Sequence, residues 1–200
     1  MNNNLIITIG REYGTGGREI GQKLALRLGI PFYDRELITR AAKKTGFDEK
    51  LFEQLDKRAT NSFLYSLTMF GSVGLNGMSL TDQLYLAQSN VIREMAEGSS
   101  CVIVGRCADY ILQDKAKCLK VFIHADMAFR AKRIVEVYGE REQSPEQRLR
   151  DKDKRRAAYH RFYTNMKWGY AQNYHITLDS GELGIDKCAD IIADLYKSKA

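Results

Sequence analysis

The sequence lacks the features that mark membrane, secreted and zinc-binding proteins. No apolar run approaches the ~18 residues of a membrane-spanning helix, and the start MNNNLIITIG has neither the basic nor the apolar region of a signal peptide. The four cysteines include no C-x-x-C pair and the three histidines are dispersed, which argues against a disulfide scaffold and a structural zinc site. We therefore expect a cytoplasmic protein with reduced thiols.

Prolines are scarce as well, and the G-x-S-x-G motif of α/β-hydrolases is missing. The two prolines, Pro31 and Pro145, mark no linker between domains. A chain of 200 residues with 44% hydrophobic content is long enough to bury one core. We predict a single domain over residues 1–200.

Positive charge is concentrated in one segment of the chain. Residues 129–167 carry twelve lysines and arginines against six acids, and this surplus equals the net charge of +6 of the whole chain. The segment is either a solvated helical face with salt bridges, a clamp for phosphate groups or a nucleic-acid surface. The nucleic-acid alternative ranks last because no aromatic-rich recognition motif accompanies the charge.

Short apolar segments alternate with helical patterns along the chain. The segments are rich in β-branched or aromatic residues, as strands are, and cover residues 5–9, 31–33, 101–104, 120–123 and 175–178. Apolar residues recur at helical spacing between them, for example at Ile20, Leu24 and Leu28. Strands separated by helices predict a parallel sheet in an α/β fold.

A glycine cluster follows the first predicted strand, in the stretch TIGREYGTGGREIGQKLA. A standard phosphate-binding loop has the pattern G-x-x-x-x-G-K-[ST], but here Gly17 and Arg18 follow Gly16. The alternative is a tight turn between strand and helix. Backbone N–H groups at a helix N-terminus bind anions without a lysine, and Arg18 could partly replace that lysine. The predicted ATP-phosphate site comprises Gly14, Thr15, Gly16, Gly17 and Arg18.

Six blocks of the sequence together resemble the cytidylate kinase-like family, which is related to the P-loop nucleoside monophosphate kinases. They are ITIGREYGTGGREIGQKLA, IPFYDREL, VIREMAEGSSCVIVGRCADYIL, KVFIHADMAFRAKRI, DKDKRRAAYHRFYTNMKWG and ITLDSGELGIDKCADII. The resemblance implies a three-layer P-loop fold with a five-stranded parallel sheet and a helical lid. It places the lid and acceptor-binding segments at approximately residues 35–80 and 129–167. The chain departs from authentic cytidylate kinases at the Walker lysine, where Gly17 stands.

The resemblance also implies roles for individual residues. Asp34 is implied in acceptor binding, but it could equally cap the N-terminus of a helix. Asp153 and Arg156 are also implied there, but because they are three residues apart they could equally form a salt bridge within a helix. Cys107 stands where the family kinases have an aspartate, and Asp109 is a possible substitute. Arg130 and Arg133 are implied lid arginines, so the predicted catalytic residues are Arg18, Arg130 and Arg133. The predicted acceptor-binding residues are Asp34, Arg106, Asp153 and Arg156.

The activity implied by the resemblance is the ATP-dependent, Mg²⁺-assisted phosphorylation of a nucleoside monophosphate, with CMP or dCMP first. The partners expected are small-molecule nucleotides, and the sequence leaves the protein ligand of Mg²⁺ and the oligomeric state open. Two alternatives stay in view. One is a nucleotide-binding regulator that lost catalysis with the Walker lysine, and the other is a nucleic-acid-binding module that uses the basic segment.

Overall fold

Five parallel strands form one sheet in the computed structural model, which describes residues 4–35, 39, 80–114 and 117–199. The strand order is β2-β3-β1-β4-β5, and every pairing is parallel. All five strands predicted from the sequence are confirmed, although β1 and β4 are longer than predicted. The strands are β1 (Leu5–Arg11), β2 (Phe32–Tyr33), β3 (Val102–Val104), β4 (Lys117–His124) and β5 (Ile176–Asp179).

Helices connect these strands, as the alternating pattern predicts. In the described residues they are α1 (Gly17–Leu28), α2 (Leu80–Gly98), α3 (Ala108–Ile111), α4 (Met127–Tyr138), α5 (Pro145–Thr164), α6 (Ser180–Leu183) and α7 (Ile185–Lys197), with a short 3-10 helix at Ala171–Asn173. Within this described part, no helix is long and apolar enough to span a membrane.

The sheet has one apolar cluster on each face. Ile7 and Ile9 of β1 pack with residues of α1 and α7, including Ile20 and Ile192. Ile6, which directly precedes Ile7, packs on the opposite face with residues of α2 and α3. Successive side chains of a strand point to opposite faces, so a strand buried on both sides needs the continuous apolar run that β1 has. Two helical layers therefore enclose the sheet, and the predicted three-layer α/β fold is confirmed.

The carboxyl ends of the parallel strands all lie at one edge of the sheet, where ligands of such folds gather. Helices α4 and α5 contact each other at this edge, and Ile134 and Leu149 pack with Tyr13 of the loop after β1. These two helices lie within the predicted lid segment 129–167 or directly next to it. The other predicted segment, 35–80, falls outside the described residues except at positions 35, 39 and 80.

Candidate active site

The glycine loop, residues 14–18, joins β1 to α1 in a conformation that only glycines adopt easily. Gly14 and Gly16 have φ angles of 86° and 76°, and Gly16 caps the N-terminus of α1. The Thr15 hydroxyl donates to the Glu12 carbonyl (2.9 Å) and accepts from Gly17 N–H (3.4 Å), while Ser180 Oγ donates to the Thr15 carbonyl (2.8 Å). The Thr15 side chain is therefore hydrogen-bonded within the loop and helps to fix its conformation.

Arg18, at the first turn of α1, reaches the end of the second strand. Its Nε lies 2.7 Å from Asp34 Oδ2, and the Asp34 side chain is buried while that of Arg18 is half exposed. Arg18, predicted to bind the ATP phosphates, and Asp34, predicted to bind the acceptor, thus form an ion pair with each other. Of the helix that Asp34 could cap, the structure describes only Arg35 and Thr39.

A cavity of about 250 Å³ opens beside the glycine loop, at the carboxyl ends of β1 and β3. We call it the cationic cavity because six of its lining side chains are Arg11, Arg35, Arg106, Lys152, Arg155 and Arg156. Aromatic side chains of Tyr159, Trp168 and Tyr174 complete the walls. Of the predicted acceptor-binding residues, Arg106 and Arg156 line this cavity. The arrangement suits an anion attached to a flat ring.

The cavity brings several positively charged side chains close together. Burial lowers the pKa of Arg11 well below its usual value, and the neighbouring Arg156 and Arg106 lower it further. Burial likewise lowers the pKa of Arg156, which Asp153 partly counteracts, and that of Lys152. Desolvation and like charges both disfavour the charged form, so a bound anion would stabilise these groups.

Arg106 enters the cavity on a backbone with positive φ angles. Gly105, Arg106 and Cys107 have φ angles of 83°, 56° and 54°, and Gly105 N–H donates to the Ile9 carbonyl at 3.0 Å. Cys107, in place of the family's aspartate, is buried, and burial raises the pKa of its thiol far above the usual value. A protonated, buried thiol is a poor nucleophile.

Arg130 and Asp153 form a buried ion pair that holds the loop after β1. Arg130 Nη1 lies 2.6 Å from Asp153 Oδ2 and donates to the Tyr13 carbonyl at 3.4 Å. Tyr13 N–H donates to Asp153 Oδ1 at 2.7 Å. Asp153 does not line the cationic cavity, unlike Arg156, so the structure gives these two predicted partners different surroundings.

Arg133 lies at the N-terminus of α1. Its Nη2 is 2.6 Å from Glu19 Oε2, and its Nε is 3.2 Å from the place where a side chain on Gly16 would begin. Arg130 and Arg133 both lie next to the glycine loop, and their spacing of three residues puts them on one side of α4. Of the three predicted catalytic arginines, Arg130 lies against Gly14 and Arg133 lies against Gly16.

The sequence interpretation missed several cationic residues of the cavity, above all Arg11. The signal was available by counting: if Gly16 is the second glycine of G-x-x-x-x-G, the first falls at position 11, which is arginine. The described residues contain no group of three side chains suited to a metal ion, so the structure offers no defined Mg²⁺ site there.

Comparisons with known proteins agree with the topology. A shikimate kinase from Bacteroides thetaiotaomicron has 16% identity and a TM-score of 0.52, covering 96% of this chain and 98% of that one. An uncharacterised protein from Eubacterium ventriosum has 31% identity and a TM-score of 0.75, covering 98% and 99%. A search of curated protein sequences finds no match. The family model described as the cytidylate kinase-like family matches residues 6–182. The chain therefore belongs to the cytidylate kinase-like family and has the fold of P-loop kinases.

Proposed function

We propose that this protein transfers the γ-phosphoryl group of ATP to a nucleoside monophosphate, with CMP and dCMP as the first candidates. The observation that supports the proposal is the cationic cavity beside a glycine loop at the carboxyl edge of a parallel sheet. Phosphoryl transfer relies mainly on positioning and on neutralising charge, and this arrangement supplies both.

The acceptor site is the cationic cavity. Arg106 and Arg156 reach it from β3 and α5, and a planar guanidinium suits bidentate capture of a phosphate. Tyr159 offers a ring for stacking, with the Arg106 guanidinium carbon 5.8 Å from its centroid. Among the described lining residues Asp109 is the only acid, and it is suited to accept a hydrogen bond from a base amino group such as that of cytosine.

The donor site is the glycine loop. Backbone N–H groups of residues 14–18 at the start of α1 would hold the ATP phosphates, with Arg133 beside Gly16 and Arg18 at the first turn. A phosphate oxygen of the acceptor attacks the γ-phosphorus and ADP leaves. Arg130 contributes by fixing the loop through Tyr13. Magnesium would enter with the ATP phosphates, and because the described residues gather no metal site, no step is assigned to a protein-bound ion.

A nucleotide-binding regulator is the second candidate, and the glycine at the Walker lysine position favours it. The nucleic-acid alternative gains no support, because the cations that the structure groups together line a cavity of small-molecule size. A regulator would bind ATP without turnover.

The test is a coupled ADP-release assay with ATP, Mg²⁺ and a panel of nucleoside monophosphates. We expect ADP release that depends on the acceptor and is fastest with CMP or dCMP. Arg150→Ala serves as a matched control, because Arg150 is exposed on α5 and lies outside the cavity lining. Measurable ATP binding with no acceptor-dependent release would favour the regulator.

A further inference from the structure

We propose that Arg11 supplies the cation that the loop lacks at Gly17, by occupying the space in which a lysine side chain would begin. The inference rests on the proposed function, since it assigns a residue to the same phosphoryl-transfer site. Compared with the standard pattern G-x-x-x-x-G-K, this chain has Arg11 in place of the first glycine and Gly17 in place of the lysine.

Arg11 and Gly17 lie so close together that a side chain at position 17 would overlap the side chain of Arg11. A Cβ atom on Gly17 would lie 2.7 Å from Arg11 Cβ and 2.9 Å from Arg11 Cγ. Real Cβ atoms do not approach other carbons so closely, so any side chain at 17 needs Arg11 to shift. The backbone of Arg11 is itself fixed, because it pairs with Ile123 in the sheet and its carbonyl accepts from Arg156 Nη1 at 3.1 Å.

The Arg11 guanidinium extends from this contact into the cationic cavity. It lies against Gly105, where an added Cβ would overlap Arg11 Nη1. Gly105 is followed by Arg106, another lining residue. The Arg11 side chain therefore extends from the glycine loop to the proposed acceptor site. A guanidinium in that position can contact the phosphoryl group as it is transferred.

Arg18, the earlier candidate for this task, is placed less favourably. Its Nε lies 2.7 Å from the buried Asp34, and its own side chain is 56% exposed. Solvent screens an exposed charge more strongly than one inside a cavity, so Arg11 interacts more strongly with a phosphate bound there. We therefore assign the larger part of the missing lysine's role to Arg11.

A reciprocal exchange tests the assignment on the full chain. Arg11→Gly together with Gly17→Lys restores the pattern G-x-x-x-x-G-K. The variants are the two single changes, the double change, Arg11→Ala and Arg11→Lys, with Arg18→Ala and Arg150→Ala for comparison. The affinity for ATP is measured by titration calorimetry, ADP release by the coupled assay, and the fold by the melting temperature.

We expect Arg11→Ala and Arg11→Gly to weaken ATP binding by about tenfold or more, because a charge partner of the phosphates is lost. Arg18→Ala should have a smaller effect, and Arg150→Ala none. Gly17→Lys alone should lower both affinity and melting temperature because of the overlap with Arg11. The double variant should bind ATP more tightly than Arg11→Gly and melt above Gly17→Lys.

A double variant that binds ATP no better than Arg11→Gly would overturn the inference, as would wild-type affinity in Arg11→Ala. This comparison needs no folded Gly17→Lys protein. A different result would reject the proposed function: the double variant would regain ATP affinity, but no nucleoside monophosphate would be phosphorylated. Conversely, phosphorylation of CMP that is unaffected by Arg11→Ala would keep the function and reject the role of Arg11.

Discussion

Arg106 shows at the level of a single residue how the fold supports an unfavourable conformation at the site. A left-handed backbone costs a non-glycine residue roughly 1–2 kcal/mol, yet Arg106 and the next residue, Cys107, both adopt it. The turn that follows β3 is held by the hydrogen bond from Gly105 to Ile9. Such strain typically persists where it positions a functional group, and here it places a guanidinium in the cationic cavity.

Two substitutions separate the charge of Arg106 from its backbone strain. Arg106→Ala and Arg106→Gly both remove the guanidinium, so both should raise the KM for the acceptor by on the order of tenfold while that for ATP changes much less. Glycine adopts this φ freely, so the glycine variant should be about 1 kcal/mol more stable than the alanine variant. Steady-state kinetics with each substrate varied, and urea unfolding, measure the two effects.

Arg150→Ala is the control for removing one arginine from the basic segment. It should leave both KM values unchanged. If Arg106→Ala raises the two KM values equally, Arg106 acts on the structure of the site and does not contact the acceptor.

Which side chains gather at the cavity was predictable only in part. Arg106 and Arg156 stand in family blocks, and the structure brings both to the cavity. The surroundings of Asp153 were not predictable, because Tyr13 lies 140 positions away in the chain and meets Asp153 only after the helices pack. Lys152 next to it faces the cavity while Asp153 turns toward the loop, a difference that depends on the rotation of α5 about its axis.

At the level of elements, α4 and α5 bind the strand-to-helix loop from outside. Asp153 of α5 accepts from Tyr13 N–H, Arg130 of α4 donates to the Tyr13 carbonyl, and Arg156 donates to the Arg11 carbonyl. The Arg156 guanidinium carbon also lies 5.4 Å from the centroid of the Tyr13 ring. The two helices and the loop are therefore coupled through backbone groups, so a displacement of either helix changes the loop.

Asp153→Ala tests whether this ion pair is structural. The Arg130 side chain is only 7% exposed, and its Nη1 would lose the carboxylate at 2.6 Å. Removing one partner of a buried pair costs about 3–5 kcal/mol, and the remaining contact with Glu12 at 3.6 Å reduces this to about 3 kcal/mol. Urea unfolding should show this loss of stability.

Asp153→Asn should lose less, since an amide oxygen still accepts from Tyr13 N–H. The sequence-based hypothesis for Asp153 predicts something else, namely weaker discrimination between nucleotides. Unchanged stability in Asp153→Ala together with altered preference among CMP, UMP and AMP would support that hypothesis against the structural role.

The strands were easier to predict than the long basic helix. Strands of a parallel sheet are buried on both faces, so their apolar runs stand out, and only their ends were misjudged: β1 reaches Arg11 and β4 begins at Lys117. Helix α5 has no such signal. Its buried residues are Arg148, Leu149, His160 and Thr164, so its inner face is largely polar and its pattern of apolar residues does not reveal which side is covered.

At the level of the whole molecule, the parallel sheet brings the proposed donor and acceptor sites to the same edge. Its order β2-β3-β1-β4-β5 puts the glycine loop after β1 at the centre, with the Arg106 turn after the neighbouring strand β3. Adjacent strands of the sheet therefore fix the distance between these two proposed sites. Helices α4 and α5 lie beside the proposed sites, and we expect ligand binding to change their position.

The last prediction is that a ligand occupying both sites tightens α4, α5 and the glycine loop together. Burial, and after it the neighbouring Arg156 and Arg106, lower the pKa of Arg11, and bound phosphates would favour its charged form. Hydrogen exchange with an analogue that joins adenosine and cytidine through a phosphate chain should therefore slow in residues 127–164 and 14–18. Residues 188–197 of α7, which lie beyond the contact of Ile185 with Gly16, should exchange as before and serve as the internal control. If the analogue binds and the lid amides still exchange at the rate of the free protein, α4 and α5 form a fixed wall, and the site does not close around its substrates.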